Sequence, residues 1–123
     1  MRGFPYGEAR MQATFSYAIL FVSDMEKAVA FYRDTFGLRL RFTTPFWSEF
    51  DTGATTLALH PASERNPPGR VQLGFSTPDL PGVYAGREAA GLAFTQAPVD
   101  EHGTLLSRIL DCEGAEVSLS GAS

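Results

Sequence analysis

Apolar and polar positions along the chain predict the same structural unit twice. The segment SYAILFVSDMEKAVAFYRDTFGL, residues 16–38, begins as a strand that is apolar at nearly every position. Strand periodicity gives this strand two faces, with Tyr17, Ile19 and Phe21 on one and Ala18, Leu20 and Val22 on the other. Asp24 suits a helix N-cap, apolar residues follow at helical spacing, and Gly37 suits a left-handed helix end. This helix can cover only one strand face, so the face of Tyr17 must meet something else.

Strand-like segments follow the predicted helix, and turn residues separate them. They lie at residues 38–43, 47–52 and 55–60. A Pro/Gly-rich stretch, PASERNPPGR at 61–70, is typical of a linker. The first half of the chain therefore predicts the order βαβββ.

The pattern restarts after this linker. QLGFSTPDL at 72–80 matches YAILFVSDM at 17–25 with an offset of 55, which pairs Asp79 with Asp24. Gly91 matches Gly37 with an offset of 54, so the second predicted helix is one residue shorter than the first. Further strands are predicted at residues 93–98, 104–111 and 115–120.

We therefore expect an α+β fold in which residues 14–120 form a single domain of two βαβββ modules. The modules span residues 14–62 and 70–120, the linker spans 61–70, and residues 1–13 form a flexible leader. Modules of about 50 residues are too small to bury a two-sided sheet alone. Their helix-free faces are expected to curve around a shared cleft, towards which Tyr17 would point.

Composition and charge narrow the possible partners. The 123 residues carry a net charge of −4 and no run of Lys or Arg, which argues against nucleic acid and anionic membranes as partners. Cys112 is the single cysteine, so the chain can form no internal disulfide and no cysteine-based zinc site. No apolar run approaches membrane-spanning length, and the N-terminus lacks a signal-peptide pattern. We expect a cytoplasmic protein, with Met11 as an alternative start.

Three segments resemble those of a known family. VSDMEKAVAFYRDTFGL at 22–38 resembles the first-module signature of the vicinal oxygen chelate superfamily, which includes glyoxalase I, extradiol dioxygenases and bleomycin-resistance proteins. LDCEG at 110–114 is similar to the family's hairpin turn, with Cys112 in place of proline, and VDEHG at 99–103 resembles the loop before the seventh strand. The resemblance implies paired βαβββ modules in an open, U-shaped mixed sheet, commonly completed in a homodimer.

The family's metal enzymes place one ligand on the first and on the last strand of each module. The corresponding positions here are Tyr17, Ala58, Gln72 and Ser118. Divalent metals prefer carboxylate or imidazole ligands, so we expect no metal, no cofactor and no catalytic residue. A non-standard metal site could still be drawn from His60, His102 and nearby carboxylates, namely Glu49, Asp51, Asp100 and Glu101. Cys112 has acidic neighbours and is not expected to be a nucleophile.

Aromatic residues supply the remaining candidates for a binding site. We predict that a small-molecule ligand contacts a mixed set of aromatic, apolar and polar residues: Tyr17, Ile19, Phe21, Phe46, Trp47, Glu49, His60, Gln72 and Ser118. Tyr17, Ile19 and Phe21 are expected to form a solvent-reachable wall opposite small and polar residues. The aromatic side chains around Trp47, including Phe42 and Phe50, could equally belong to the core or to an interface.

The favoured function is metal-free binding of a small, partly aromatic or apolar molecule, as in sequestering proteins of the bleomycin-resistance type. Acidic residues would there meet cationic groups of the ligand, in keeping with the negative net charge. The alternative is a metal-dependent lyase, isomerase or dioxygenase with a non-standard site. A third possibility is a dimeric module whose cleft is filled by its own side chains.

Overall fold

The computed structural model describes residues 11–122, so residues 1–10 of the predicted leader lie outside the described chain. The helical elements are α1 (Met25–Ala30), a π-helical turn (Phe31–Thr35), α2 (Leu80–Ala85) and α3 (Arg87–Ala90). The strands are β1 (Thr14–Val22), β2 (Arg39–Thr43), β3 (Ser48–Asp51), β4 (Thr56–Pro61), β5 (Val71–Ser76), β6 (Phe94–Glu101), β7 (Thr104–Leu110) and β8 (Glu116–Ala122). The predicted α+β class is confirmed. No helix within residues 11–122 is long and apolar enough to cross a membrane.

The chain divides into two compact units. The first unit spans Ser16–Leu73, and the described part of the second contains residues 11–15 and 74–122. In the first unit the strand order is β2-β3-β4-β1, with β1 parallel to β4 and the other neighbours antiparallel. Register pairs Ile19 with Ala58, and Ala58 with Glu49. These pairings place side chains from three strands side by side on one sheet face.

The helix of the first unit covers the sheet face that the sequence pattern predicts. Asp24 caps α1, and its Oδ1 accepts a hydrogen bond from the Lys27 backbone N–H at 3.0 Å. The core beneath the helix contains Val29, Phe50 and Leu59, and both Leu20 and Val22 pack against it. Phe50 is therefore a core residue, which decides one of the alternatives left open by the sequence.

The end of this helix differs from the predicted regular α-helix. After Ala30 the chain widens into the π-helical turn, where the Phe36 N–H donates to the Phe31 carbonyl at 3.1 Å. The turn brings the rings of Phe31, Tyr32 and Phe36 within 5.2–5.3 Å of one another. The helix still ends at Gly37, which has the predicted left-handed conformation with φ of 71°.

The second unit repeats the order of elements with two departures from the prediction. Its strand order is β5-β8-β7-β6, and Asp79 caps α2 by accepting from the Gly82 N–H at 3.0 Å. The single predicted helix is broken at Gly86 into α2 and α3, since glycine disfavours a continuous helix. Strand β6 continues to Glu101, so the predicted loop VDEHG at 99–103 is mostly strand. Only a tight turn at His102-Gly103 remains, with φ values of 58° and 88°.

Candidate functional site

The helix-free sheet face of the first unit carries an apolar cluster. Ile19, Phe21 and Ala58 form its buried base, and Tyr17, Trp47 and Ala62 pack against them. Ile19 and Phe21 are only 6% and 4% exposed, so the expectation that they form a solvent-reachable wall is wrong. The physical reason is that bulky neighbouring side chains pack against these two residues. Tyr17 and Trp47 remain half-buried, and His60 is exposed.

Aromatic rings meet edge to face across this cluster. The Trp47 ring centroid lies 6.0 Å from that of Tyr17 and 6.1 Å from that of His60, with interplanar angles of 64° and 83°. The Phe21 ring lies 5.3 Å from the His60 ring. Nδ1 of His60 lies 2.8 Å from the Pro61 carbonyl oxygen and donates to it, which leaves Nε2 as an acceptor in the neutral ring. We call Tyr17, Trp47 and His60 the aromatic triad.

A carboxylate bridge fixes the polar edge of the aromatic triad. Glu49 accepts a hydrogen bond from the Trp47 indole N–H at 2.8 Å and one from Arg41 Nη1 at 2.8 Å. The side chain of Glu49 is 11% exposed, whereas that of Arg41 is 42% exposed. The positive charge of Arg41 compensates the negative charge of the Glu49 carboxylate. The same carboxylate orients the indole ring through the hydrogen bond from Trp47.

The electrostatics of this bridge extend to Tyr17. Burial raises the pKa of the Tyr17 phenol, and the negative charge of Glu49 raises it further, while Arg41 opposes the effect. Tyr17 therefore remains a neutral phenol at physiological pH, with a proton that it can donate. The triad offers apolar ring surface, one donor and one acceptor, which is suited to binding and supplies no nucleophile.

The sequence model of the Glyoxalase/Bleomycin resistance protein/Dioxygenase superfamily matches residues 14–119. The chain belongs to this superfamily. The family membership predicted from the three segments, and the fold predicted from the repeated pattern, are thereby confirmed.

Comparison with individual proteins shows how far the similarity reaches. An uncharacterized protein from Mycolicibacterium smegmatis is 31% identical over 84 residues, which cover 68% of this chain and 72% of that protein. The crystal structure of methylmalonyl-CoA epimerase from Mycobacterium tuberculosis is 17% identical with a TM-score of 0.74, covering 95% of this chain and 96% of that one. A superfamily member from Vibrio splendidus is 13% identical with a TM-score of 0.67, covering 91% and 99%. At these identities the solved structures show the fold alone.

The superfamily's metal-ligand positions do not fit a metal in this chain. Ala58 is fully buried and offers no ligating atom. The raised pKa of Tyr17 opposes the deprotonation that metal binding would require. No group of three or more His, Cys, Asp or Glu residues within residues 11–122 is arranged to hold a metal ion.

The remaining predicted site residues occupy separate places. Phe46 is 76% exposed in the turn between β2 and β3, and it is not part of the triad or its base. Gln72 is buried on the part of β5 that belongs to the first unit. Ser118 lies on β8 in the second unit, directly opposite Arg108 on β7. Ligand binding by these residues stays a prediction.

Sequence reasoning missed two arginines on strands. Arg41 completes the Glu49 bridge, and Arg108 lies opposite Ser118. A positive charge inside a mainly apolar strand segment, as in LRLRFT at 38–43 and TLLSRIL at 104–110, is the signal that could have identified both.

Surface recesses lie on the helix sides of the two units. In the first unit a recess of about 330 Å³ lies between the end of β1 and the helix, and its lining includes Asp24, Lys27 and Phe31. In the second unit a recess of about 910 Å³ lies over α2 and α3 and is lined largely by small residues such as Gly86 and Ala89. Neither recess contains a member of the aromatic triad.

Proposed function

We propose that this superfamily member is a metal-free binding protein that sequesters a small, partly aromatic or apolar molecule at the aromatic triad. The observation that carries the proposal is the triad itself, three rings in edge contact above a buried apolar base. Half-buried aromatic surface with a few fixed polar groups is typical of small-molecule sites.

The carboxylate bridge refines the kind of ligand. Glu49 already accepts from Trp47 and is paired with Arg41, so its charge is compensated within the protein. A ligand cation would have to compete with Arg41 for this carboxylate. The proposal therefore favours an uncharged aromatic group over a cationic one, in contrast to the expectation drawn from the acidic net charge.

Three probes with one ring but different charges test this proposal: benzyl alcohol, benzylammonium and benzoate. Trp47 is the single tryptophan, so its fluorescence reports on the triad without interference from another indole. We expect saturable changes in Trp47 emission and a rise in melting temperature with benzyl alcohol, and weaker effects with benzylammonium. Stabilisation at 100 times the dissociation constant should be about 2.7 kcal/mol.

Matched variants locate the binding. Tyr17→Ala should weaken benzyl alcohol binding several-fold, whereas Phe46→Ala removes an exposed ring outside the triad and should leave binding unchanged. Equal losses in both variants, or no saturable binding of any of the three probes, would reject the proposal.

The metal-dependent alternative is tested on the same preparation. We expect elemental analysis of purified protein to find less than one equivalent of zinc, nickel, iron or manganese, and chelator to leave the melting temperature unchanged. One tightly held equivalent of metal, lost together with stability on chelation, would instead favour the lyase, isomerase or dioxygenase class.

A homodimer is part of this proposal. Exposed aromatic side chains such as Phe31 and Phe36, at 46% and 61%, favour burial against a second copy. Light scattering should then give about 27 kDa, twice the 13.4 kDa of one chain. A 13.4 kDa species at micromolar concentration would contradict it.

A further inference from the structure

Arg108 is a partly buried cation whose protein partner is neutral. Its Nη1 donates a hydrogen bond of 2.5 Å to the amide oxygen of Gln96 on β6. Arg108 forms no ion pair with any carboxylate of residues 11–122. The other two arginines that lie on strands differ, because Arg41 and Arg39 each have a carboxylate within 4.0 Å.

The cross-strand neighbours of Arg108 in the second unit are small or polar. Strand register places Arg108 between Gln96 on β6 and Ser118 on β8, and Ser118 is in turn paired with Gly74 on β5. The buried neighbours Ser107 and Ile109 alternate with Arg108 and so point to the opposite sheet face. The hydroxyl of Ser118 has no hydrogen-bond partner among the described residues.

The acidic residue on the same strand as Ser118 does not satisfy this guanidinium. Glu116 accepts a hydrogen bond from the Thr95 hydroxyl at 2.6 Å, and no ion pair joins it to Arg108. Arg108 thus keeps four of its five N–H donors for other acceptors. A charged group withdrawn from water is costly unless it is paired, and the planar guanidinium fits the two oxygens of a carboxylate or phosphate.

We infer that Arg108 and Ser118 form an anion-binding site in the second unit, which receives the carboxylate or phosphate group of a small molecule. Arg108 supplies the charge and a two-pronged set of donors, and the Ser118 hydroxyl donates a further hydrogen bond. Gln96 holds the guanidinium in place without neutralising it. This inference goes beyond the proposed function, because it concerns another unit and an anionic group without a ring.

The experiment uses acetate and phosphate, neither of which carries an aromatic ring, titrated at constant ionic strength with chloride as the balancing anion. The Nε–H signal of Arg108 in a ¹⁵N-correlation spectrum, assigned by its loss in Arg108→Gln, reports binding directly. We expect a saturable shift of this signal with at least one of the two anions. Acetate alone would identify a carboxylate site and phosphate alone a phosphate site.

Two variants and a control decide the outcome. Arg108→Gln should lower the affinity for the bound anion about tenfold or more, since a charged hydrogen bond is lost, while benzyl alcohol binding at Tyr17 stays unchanged. Gln96→Glu places a carboxylate on the guanidinium from within, so it should reduce anion affinity to a similar extent in a folded protein. Arg39→Gln removes an exposed arginine and should have no effect.

Three results would overturn the inference that Arg108 binds an anion. A shift that grows linearly with anion concentration, or one that is the same for the Arg39 and Arg108 signals, would overturn the inference. Retention of anion affinity in Gln96→Glu would also overturn it, and this variant remains informative if Arg108→Gln does not fold.

Discussion

Replacing Glu49 with glutamine is the sharpest test of the carboxylate bridge. The substitution keeps the size and shape of the side chain but removes its negative charge. Glutamine has one carbonyl oxygen, so it can keep the hydrogen bond from Trp47 or the one from Arg41, while its amide group turns a donor towards the other donor. We therefore expect the free energy of unfolding to fall.

The size of the effect follows from the two contacts. Each is 2.8 Å long, and a hydrogen bond to a charged group typically contributes about 1.5–3 kcal/mol. Arg41 is 42% exposed, so water screens its share to about 1 kcal/mol or less, whereas Glu49 is largely buried. Glu49→Gln loses one charged hydrogen bond and places a buried amide N–H against another donor. Together these changes should lower the free energy of unfolding by about 2 kcal/mol, which corresponds to roughly 6–10 °C in melting temperature for a domain of this size.

Urea unfolding, followed both by far-ultraviolet circular dichroism and by Trp47 fluorescence, measures this loss. Glu64→Gln is the matched control, because Glu64 is exposed in the segment between β4 and β5, and its replacement should change stability by less than about 0.5 kcal/mol. The emission spectrum of folded Glu49→Gln should also shift, since the indole N–H loses a charged acceptor.

Equal stability of Glu49→Gln and Glu64→Gln would refute this reasoning. It would mean that the bridge neither holds Trp47 nor offsets the burial of Glu49, and the proposed orientation of the aromatic triad would lose its physical basis.

Three further predictions concern stability. Leu59→Ala should destabilise the protein by about 2–5 kcal/mol in chemical denaturation, because Leu59 is fully buried beneath the helix, and Tyr17→Ala should cost clearly less. Because the pKa of Tyr17 is raised in the folded state, its contribution to stability is complete below about pH 10 and is lost as the pH rises through the folded-state value. Tyr17→Phe should therefore lose less stability over that range in pH-dependent melting. An identical loss in both proteins would contradict the raised pKa. Gly37→Ala should lower the free energy of unfolding by about 1 kcal/mol through backbone strain alone, since φ is 71° and no atom lies within 4 Å of the added Cβ. An unchanged urea midpoint would exclude strain at this position.

Local patterns in the sequence predict those parts of the fold that local forces determine. The apolar alternation of β1 correctly separates the helix-facing side chains of Leu20 and Val22 from Tyr17, and the aspartate caps mark both helix starts. The far end of β6 is not predicted, because Asp100 and Glu101 are charged residues that disfavour strands and their strand conformation comes from pairing with β7.

The candidate site is less predictable because its contacts join distant strands. Alternation places Glu49 and Tyr17 on suitable faces, but only the register between β2, β3 and β4 shows that Arg41 reaches Glu49 and Thr56. Burial of Ile19 and Phe21 depends in the same way on side chains that pack against them, including Trp47 from another part of the chain. Pairing across the sheet is a tertiary property, and no single segment encodes it.

The π-helical turn accounts for a difference between the two halves of the repeat. Gly37 follows Asp24 by 13 positions (37 − 24), whereas Gly91 follows Asp79 by 12 positions (91 − 79). Both glycines end their helices in the left-handed conformation, with φ of 71° and 74°. A π-helical turn holds one residue more than an α-helical turn without moving the helix end. The turn at Phe31–Thr35 therefore accommodates the additional residue of the first copy within the helix, so that the sheet of that unit is not displaced.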